Sequence, residues 1–367
     1  MAKPRTVYRG KRRFGKVVTV VLFIIAVLLI LAVALFYYLQ KYIVYDKDGL
    51  SIILPYMRQE QGTGDDDDNG VSIHPALSPD EVEIVVVPPD LDSIVTTAGE
   101  DLQSLRANYV AAADVSSVNL TLAASSLPNS NVSALVIELK PESGLLSYSS
   151  GVKMAGDYGL NGEGDISDTI TALKNQGIYL VASISCLVDN GMAERNSPVA
   201  LKTALGDHVI SDARGSWIDP YNRTAREYIV QLIEEAARMG FDEVLFTNVA
   251  HPDTENITYS QTMTSALDKT DSVSVYAKYV SDAAREAGIK ASAVCYGDLL
   301  RQNESEKYGQ DINFFFAVFD RVCVETSSDY YVGDMQMLEG ILGEESATRI
   351  VPMIAGYVPE SGSYIAK

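Results

Sequence analysis

Apolar residues along this chain follow three patterns in turn. Residues 17–39 form an unbroken run of 23 positions without a charge. At about 1.5 Å per residue this is long enough to cross a hydrocarbon core of about 30 Å. Residues 40–104 then lack any sustained period, and 59–70 (QEQGTGDDDDNG) reads as a solvated linker. A β-prone run at 82–87 is placed to pair with 50–54 as a small β element. From about Arg106 onward, short apolar runs of strand length recur at 109–113, 132–139, 177–187, 244–249, 290–296, 321–326 and 349–355. Segments with helical spacing lie between several of them, notably 166–176 and 273–288. Alternation of this kind predicts a parallel α/β fold, with a TIM-like barrel over 105–367. Only seven strands are legible. The pattern therefore predicts either a barrel open at one seam or one completed by residues 82–87.

The clearest βα step lies in 216–252. Asn222 can cap a helix, its side chain accepting from backbone N–H groups of the first turn. Ala225, Tyr228, Ile229, Leu232, Ile233 and Ala236 follow at helical spacing, and Gly240 supplies a left-handed stop. Residues 244–249 are short, largely apolar and β-prone, as a strand buried on both faces should be. Asn248 and His251, at its end and just beyond, fall where parallel α/β proteins carry their chemistry.

Charge changes the picture at the N-terminus. Residues 1–16 carry Lys3, Arg5, Arg9, Lys11, Arg12, Arg13 and Lys16 with no acid, Tyr37 and Tyr38 mark the far end of the apolar run, and Lys41 follows. The expectation is a single-pass anchor in the cell membrane, with a basic cytoplasmic tail and everything after Lys41 extracytoplasmic. A cleaved signal peptide is the rival, since Ala32-Val33-Ala34 has the small-x-small form. The run continues through Leu35 and Phe36, which favours the anchor. The whole chain has 29 basic and 49 acidic residues, a formal net charge of −20. That balance excludes nucleic acid as a partner. Cys186, Cys295 and Cys323 lack metal or disulfide spacing and read as buried thiols. Asp65–Asp68 lack the interleaving of a calcium loop, so no metal and no cofactor is expected.

Residues 217–221 (WIDPY) followed by 234–246 (EEAARMGFDEVLF) resemble a family of bacterial glycoside hydrolases, often membrane-anchored, whose TIM-barrel domain was long of unknown function. The family pattern is W-[VI]-D-P-Y, a helix with E-A-A, then G-F-D-E-I-Q-F-D-Y-[VI]-R-F-P. Trp217, Asp219, Pro220, Tyr221, Gly240, Phe241, Asp242, Glu243, Phe246 and Pro252 match it. Thr247, Asn248, Ala250 and His251 do not. Residues 137–150 (IELKPESGLLSYSS) also resemble a family motif, with Glu138 in place of the usual Asp and with Lys140, Gly144, Tyr148 and Ser150 matching.

The resemblance implies a barrel that acts on or binds a cell-envelope or environmental polysaccharide. Glycoside hydrolysis usually needs two carboxylates facing each other across the sugar. Glu138 and Glu325 are the candidate catalytic pair, with Asp189, His251 and Asn248 in support and Tyr148, Trp217, Asp219 and Tyr221 as candidate substrate contacts. The competing structural roles are a Glu138–Lys140 ion pair, a loop cap at Asp189 and a solvent-facing loop side chain at His251. The family's strand-four acid is Thr247 here, and its strand-five acid is Val294. Asp242 and Glu243 precede their strand and belong to the stability face. Two readings follow. One is a surface glycosidase with weak or lost catalysis. The other is a noncatalytic barrel that binds a glycan or protein partner at the cell surface.

Overall fold

The computed structural model describes residues 102–367, apart from 207, 260–267, 303–304, 344–345 and 357–358, together with Ala98, Gly99 and a hairpin near the N-terminus. In that hairpin Ile43–Asp46 pairs antiparallel with Gly49–Ile52, as Ile43 with Ile52 and Asp46 with Gly49. The expected pairing of 50–54 with 82–87 involves residues outside those described. Residues 17–39, 59–70 and 82–87 lie outside the described residues. Among the described residues no helix is long and apolar enough to cross a membrane.

Eight parallel strands close into a barrel. They are β1 (Arg106–Val110), β2 (Ala134–Lys140), β3 (Tyr179–Ser185), β4 (Glu243–Thr247), β5 (Lys290–Cys295), β6 (Arg321–Ser327), β7 (Ile350–Ala355) and β8 (Tyr364–Ala366). Around the ring the order is β6-β7-β8-β1-β2-β3-β4-β5, so sequential strands are neighbours throughout. The barrel is therefore not open at a seam. The missing strand is β8, three residues long, which pairs Ile365 with Met353 of β7 and with Ala107 of β1. Two further bonds lock it, from Tyr364 N to the Leu105 carbonyl (2.7 Å) and from Lys367 N to the Ile354 carbonyl (2.9 Å). Three residues carry too little periodicity to read as a strand. Strand β1 also begins and ends three residues before its expected position, its end set by Ala112–Asp114 turning as a 3-10 helix.

Helices cover the outside. The main ones are α1 (Ser117–Ser126), α2 (Ser167–Asn175), α3 (Arg223–Met239), α4 (Lys269–Glu286), α5 (Ile312–Val318) and α6 (Tyr331–Leu342). Helix α3 is built as its sequence predicts. Asn222 accepts from Ala225 N at 3.2 Å, and Gly240 ends the helix at φ 104°. Its buried face is Ala225, Tyr228, Ile229, Leu232, Ile233 and Ala236, together with Glu235. Each large apolar side chain so buried contributes about 1.5–3 kcal/mol.

Strand alternation sorts side chains between this outer core and a separate core inside the barrel. The inner core contains Ala107, Ala134, Val136, Val181, Leu245, Val294, Cys323, Val351, Met353 and Ile365. Below it, Glu243 accepts from Tyr179 Oη (2.8 Å), Ser292 Oγ and Arg321 Nη1, while Arg321 Nη2 donates to the Gln103 carbonyl (2.8 Å). Asp242 beside it takes Leu180 N (3.0 Å) and Lys174 Nζ. Polar side chains thus floor the N-terminal end, where the sequence places Asp242 and Glu243.

Candidate active site

Two residues beyond the inner core on each strand, the same alternation brings the next lumen-facing side chains to the C-terminal mouth. Val136 leads to Glu138, Leu245 to Thr247, Cys323 to Glu325 and Ile365 to Lys367. These residues line a cavity of about 610 Å³ together with Tyr109, Asp114, Glu142, Arg214, Asn248, Val294 and Tyr296. Strands β2 and β6 stand four places apart in a ring of eight, so Glu138 and Glu325 enter the cavity from opposite walls.

Glu138 Oε2 accepts from Ala112 N at 2.7 Å, in the turn after β1. It does not pair with Lys140. A bulge between them pairs Glu138 with Ser183 and Lys140 with Ile184, so the two side chains no longer share a face. Lys140 is buried outside the lumen, where its Nζ meets Asp189 Oδ2 at 2.9 Å and the Ser185 carbonyl at 2.6 Å. Burial, and then the charge of Glu138, push the Tyr109 hydroxyl pKa far above its ordinary value, with Glu142 adding to the effect. Across the cavity Glu325 Oε1 accepts from Lys367 Nζ at 2.9 Å. Gly297 holds this wall close: a Cβ there would lie 2.0 Å from the Glu325 carbonyl oxygen.

Between the walls, Asn248 sits at φ 54°, a left-handed conformation that Asn tolerates better than most residues. Its Nδ2 donates to Glu142 Oε1 (2.8 Å) and Ser185 Oγ (2.9 Å), and its Oδ1 accepts from Tyr296 Oη (2.8 Å). Gln310 ties the tops of β4 and β5 by donating to the Val249 (3.1 Å) and Val294 (3.2 Å) carbonyls and accepting from Tyr296 N (3.0 Å). The Arg214 guanidinium lies 4.1 Å from the Tyr296 ring centre and 4.6 Å from that of Tyr308, within cation–π range of both.

Of the residues singled out from sequence, Glu138, Glu325 and Asn248 are gathered at this cavity and the others are not. Asp189 caps a short helix, accepting from Met192 N at 2.7 Å, and holds Lys140. His251 is not solvent-facing: it is 2% exposed, with Nδ1 3.0 Å from the Pro252 carbonyl and Nε2 3.2 Å from Tyr259 Oη. Burial lowers its pKa from 6.5 to about 4. Tyr148 donates to Glu235 Oε2 at 2.6 Å, Ser150 does so at 2.5 Å, and Gly151 N reaches Glu235 Oε1 at 2.6 Å. The Y-x-S and E-A-A motifs therefore serve to fasten the loop after β2 onto α3. Trp217 is fully buried, Asp219 accepts from Tyr221 N (2.8 Å), and Tyr221 Oη meets Ser272 Oγ at 2.7 Å. Gly144, at φ 78°, packs where a Cβ would lie 1.9 Å from Asp189 Oδ1. Glu142, Arg214, Tyr109, Tyr296 and Lys367 were not singled out by motif or period. Only the strand alternation, within β1 for Tyr109 and one residue past β8 for Lys367, points to these two.

A closed parallel (β/α) barrel with carboxylates on facing walls of its C-terminal mouth belongs to the TIM-barrel class, in which active sites occupy this face. Residues 107–337 match the family described as "Putative glycosyl hydrolase domain", and the chain belongs to that family. No curated protein matches it. Among solved structures, the glycoside hydrolase domain of PgaB (BpsB) from Bordetella bronchiseptica is 12% identical, with a TM-score of 0.51 over 72% of this chain and 94% of that one. It shares the barrel fold. A hypothetical protein from Ruminiclostridium thermocellum is 21% identical over 50% of this chain and 95% of its own (TM-score 0.44). The beta-amylase catalytic domain from Paenibacillus polymyxa is 11% identical over 74% and 93% (TM-score 0.47).

Proposed function

We propose that this protein is a membrane-anchored, extracytoplasmic member of its family that takes a cell-envelope or environmental polysaccharide into the barrel mouth and hydrolyses it slowly or not at all. The observation that carries this reading is the make-up of the cavity. Glu138 and Glu325 face each other as a glycosidase pair would, yet one is held by a backbone N–H and the other by Lys367. The lumen positions between them on β4 and β5 are Thr247 and Val294, which cannot act as acid, base or carboxylate nucleophile. The family's arginine after β4 is also absent, its place taken by Ala250. A general acid or base contributes about 10²–10⁴-fold, so a mouth short of these groups retains binding more readily than turnover. Tyrosine hydroxyls, carboxylates and a guanidinium around an open cavity suit the hydroxyl-rich surface of a sugar chain.

The test is to incubate the protein with insoluble and soluble polysaccharides and measure co-sedimentation and reducing-end release together. The expected result is binding with undetectable or very slow release, and with Glu138→Gln and Glu325→Gln melting close to wild type. Thr247→Asp alone leaves the rate low. Robust turnover, abolished by Glu138→Gln in a folded protein, would overturn the reading.

A further inference from the structure

The β4 wall of the mouth ends in Thr247, which has no charge, although the family pattern places an acid there. The residue after it, Asn248, also departs from that pattern. These two departures coincide with a further carboxylate in the cavity, one that, like Asp114, no strand supplies. Glu142 lies on the loop after β2, and its side chain reaches past β3 to the top of β4. There Asn248 Nδ2 donates to Glu142 Oε1 at 2.8 Å.

Nothing in the arrangement of Asn248 is loose. It is 5% exposed and left-handed at φ 54°. Its amide is fixed in orientation because Tyr296 Oη donates to Oδ1 (2.8 Å), which leaves Nδ2 to face Ser185 Oγ (2.9 Å) and Glu142. The Glu142 backbone is held in turn, its carbonyl accepting from Asn190 N at 2.9 Å. Among the described residues Glu142 has no cationic partner, unlike Glu325 with Lys367. One carboxylate oxygen is thus occupied by the amide. The other is left to the cavity that Glu142 lines.

We infer that Glu142 is the sugar-contacting carboxylate of the β4 wall, standing in for the acid absent at Thr247, and that Asn248 is the residue that positions it. This rests on the glycan-binding reading given above and names the groups through which it works. A free carboxylate oxygen accepts a hydrogen bond from a sugar hydroxyl, and bonds to charged groups are the stronger ones. An Asp at Thr247 would present its carboxylate to the same cavity by the short route, directly from the strand.

That equivalence gives the experiment. Full-length protein is titrated calorimetrically with hexasaccharides of β-1,4-linked glucose, of β-1,4-linked N-acetylglucosamine, of β-1,4-linked xylose and of α-1,4-linked glucose. Whichever binds wild type most tightly is the probe. Glu142→Gln is expected to weaken binding by about tenfold or more, the loss typical of a hydrogen bond to a charged group. Asn248→Ala is expected to weaken it comparably. Adding Thr247→Asp to either variant is expected to recover most of the loss, whereas Thr247→Asp in the wild-type background gives no gain. Thermal midpoints are measured alongside. Asn248→Ala lowers the midpoint, and Thr247→Asp does not restore it, so recovered binding cannot come from recovered folding. Unchanged affinity in folded Glu142→Gln would overturn the inference while leaving the glycan-binding reading intact, and so would failure of Thr247→Asp to rescue either variant. If none of the four hexasaccharides binds wild type, the glycan-binding reading fails, and this inference fails with it.

Discussion

His251 shows how far a side chain's chemistry is set by what surrounds it. An unperturbed histidine titrates near neutrality and suits acid–base work. Here burial is the largest influence and lowers the pKa from 6.5 to about 4; the Pro252 carbonyl and Glu255 oppose the shift, and Lys269 adds to it. The sign of the consequence follows from proton counting. Between pH 6.5 and 4 the unfolded chain binds a proton that the folded chain does not. The contribution is therefore fully present above pH 6.5 and lost as pH falls toward 4, with a ceiling on the order of 3 kcal/mol. Urea denaturation at pH 8, 6.5 and 5 should show wild type weakening across this window. His251→Gln should begin lower at pH 8 and fall less. An equal slope in both proteins would show that other groups carry the effect. His251 therefore belongs with Asp189, Tyr148, Trp217, Asp219 and Tyr221, each of which bonds to or packs against the frame under the mouth. Tyr148, Trp217, Asp219 and Tyr221 match family motifs, and a motif match does not separate a residue that touches sugar from one that fastens a loop.

At the scale of elements, long and strongly patterned segments were legible and short or irregular ones were not. Helix α3 has its cap, apolar stripe and glycine stop all in sequence, and it forms as those signals direct. Strand β8 is three residues long and gains its identity only from the two edges it joins. The bulge in β2 is equally invisible in sequence, yet it sends Glu138 to the lumen and Lys140 to Asp189. The barrel floor offers a measurable case of element-level coupling. Glu243 on β4 and Arg321 on β6 are both buried and paired, with β5 between them contributing Ser292. Removing one partner of a buried pair leaves the other charge uncompensated, at a cost of about 3–5 kcal/mol. Arg321→Met should therefore lower unfolding free energy by that amount in urea titration, and adding Glu243→Gln should recover part of it. A loss below about 1 kcal/mol, the range of exposed pairs, would show that the pair does not tie β4 to β6.

For the whole molecule, the expected anchor at residues 17–39 is a matter for cell biochemistry. With an N-terminal tag on the full chain, protease added to intact wall-stripped cells should remove the barrel and spare the tag. A released soluble protein beginning near Leu35 would show that the apolar run is a cleaved signal peptide. The sequence alone was sufficient for the parallel α/β rhythm, for seven of the eight strands and for Glu138, Glu325 and Asn248 as mouth residues. Those features depend on local periodicity, and a strand's alternation dictates which side chains enter the lumen once the barrel exists. Closure by β8, the approach of Glu142 to Asn248, the stacking of Arg214 on Tyr296 and Tyr308, and the Lys367–Glu325 pair were decided only by the tertiary structure. In each, residues distant in sequence meet because the ring brings strand ends together, and no period or spacing along the chain records which ends will be neighbours.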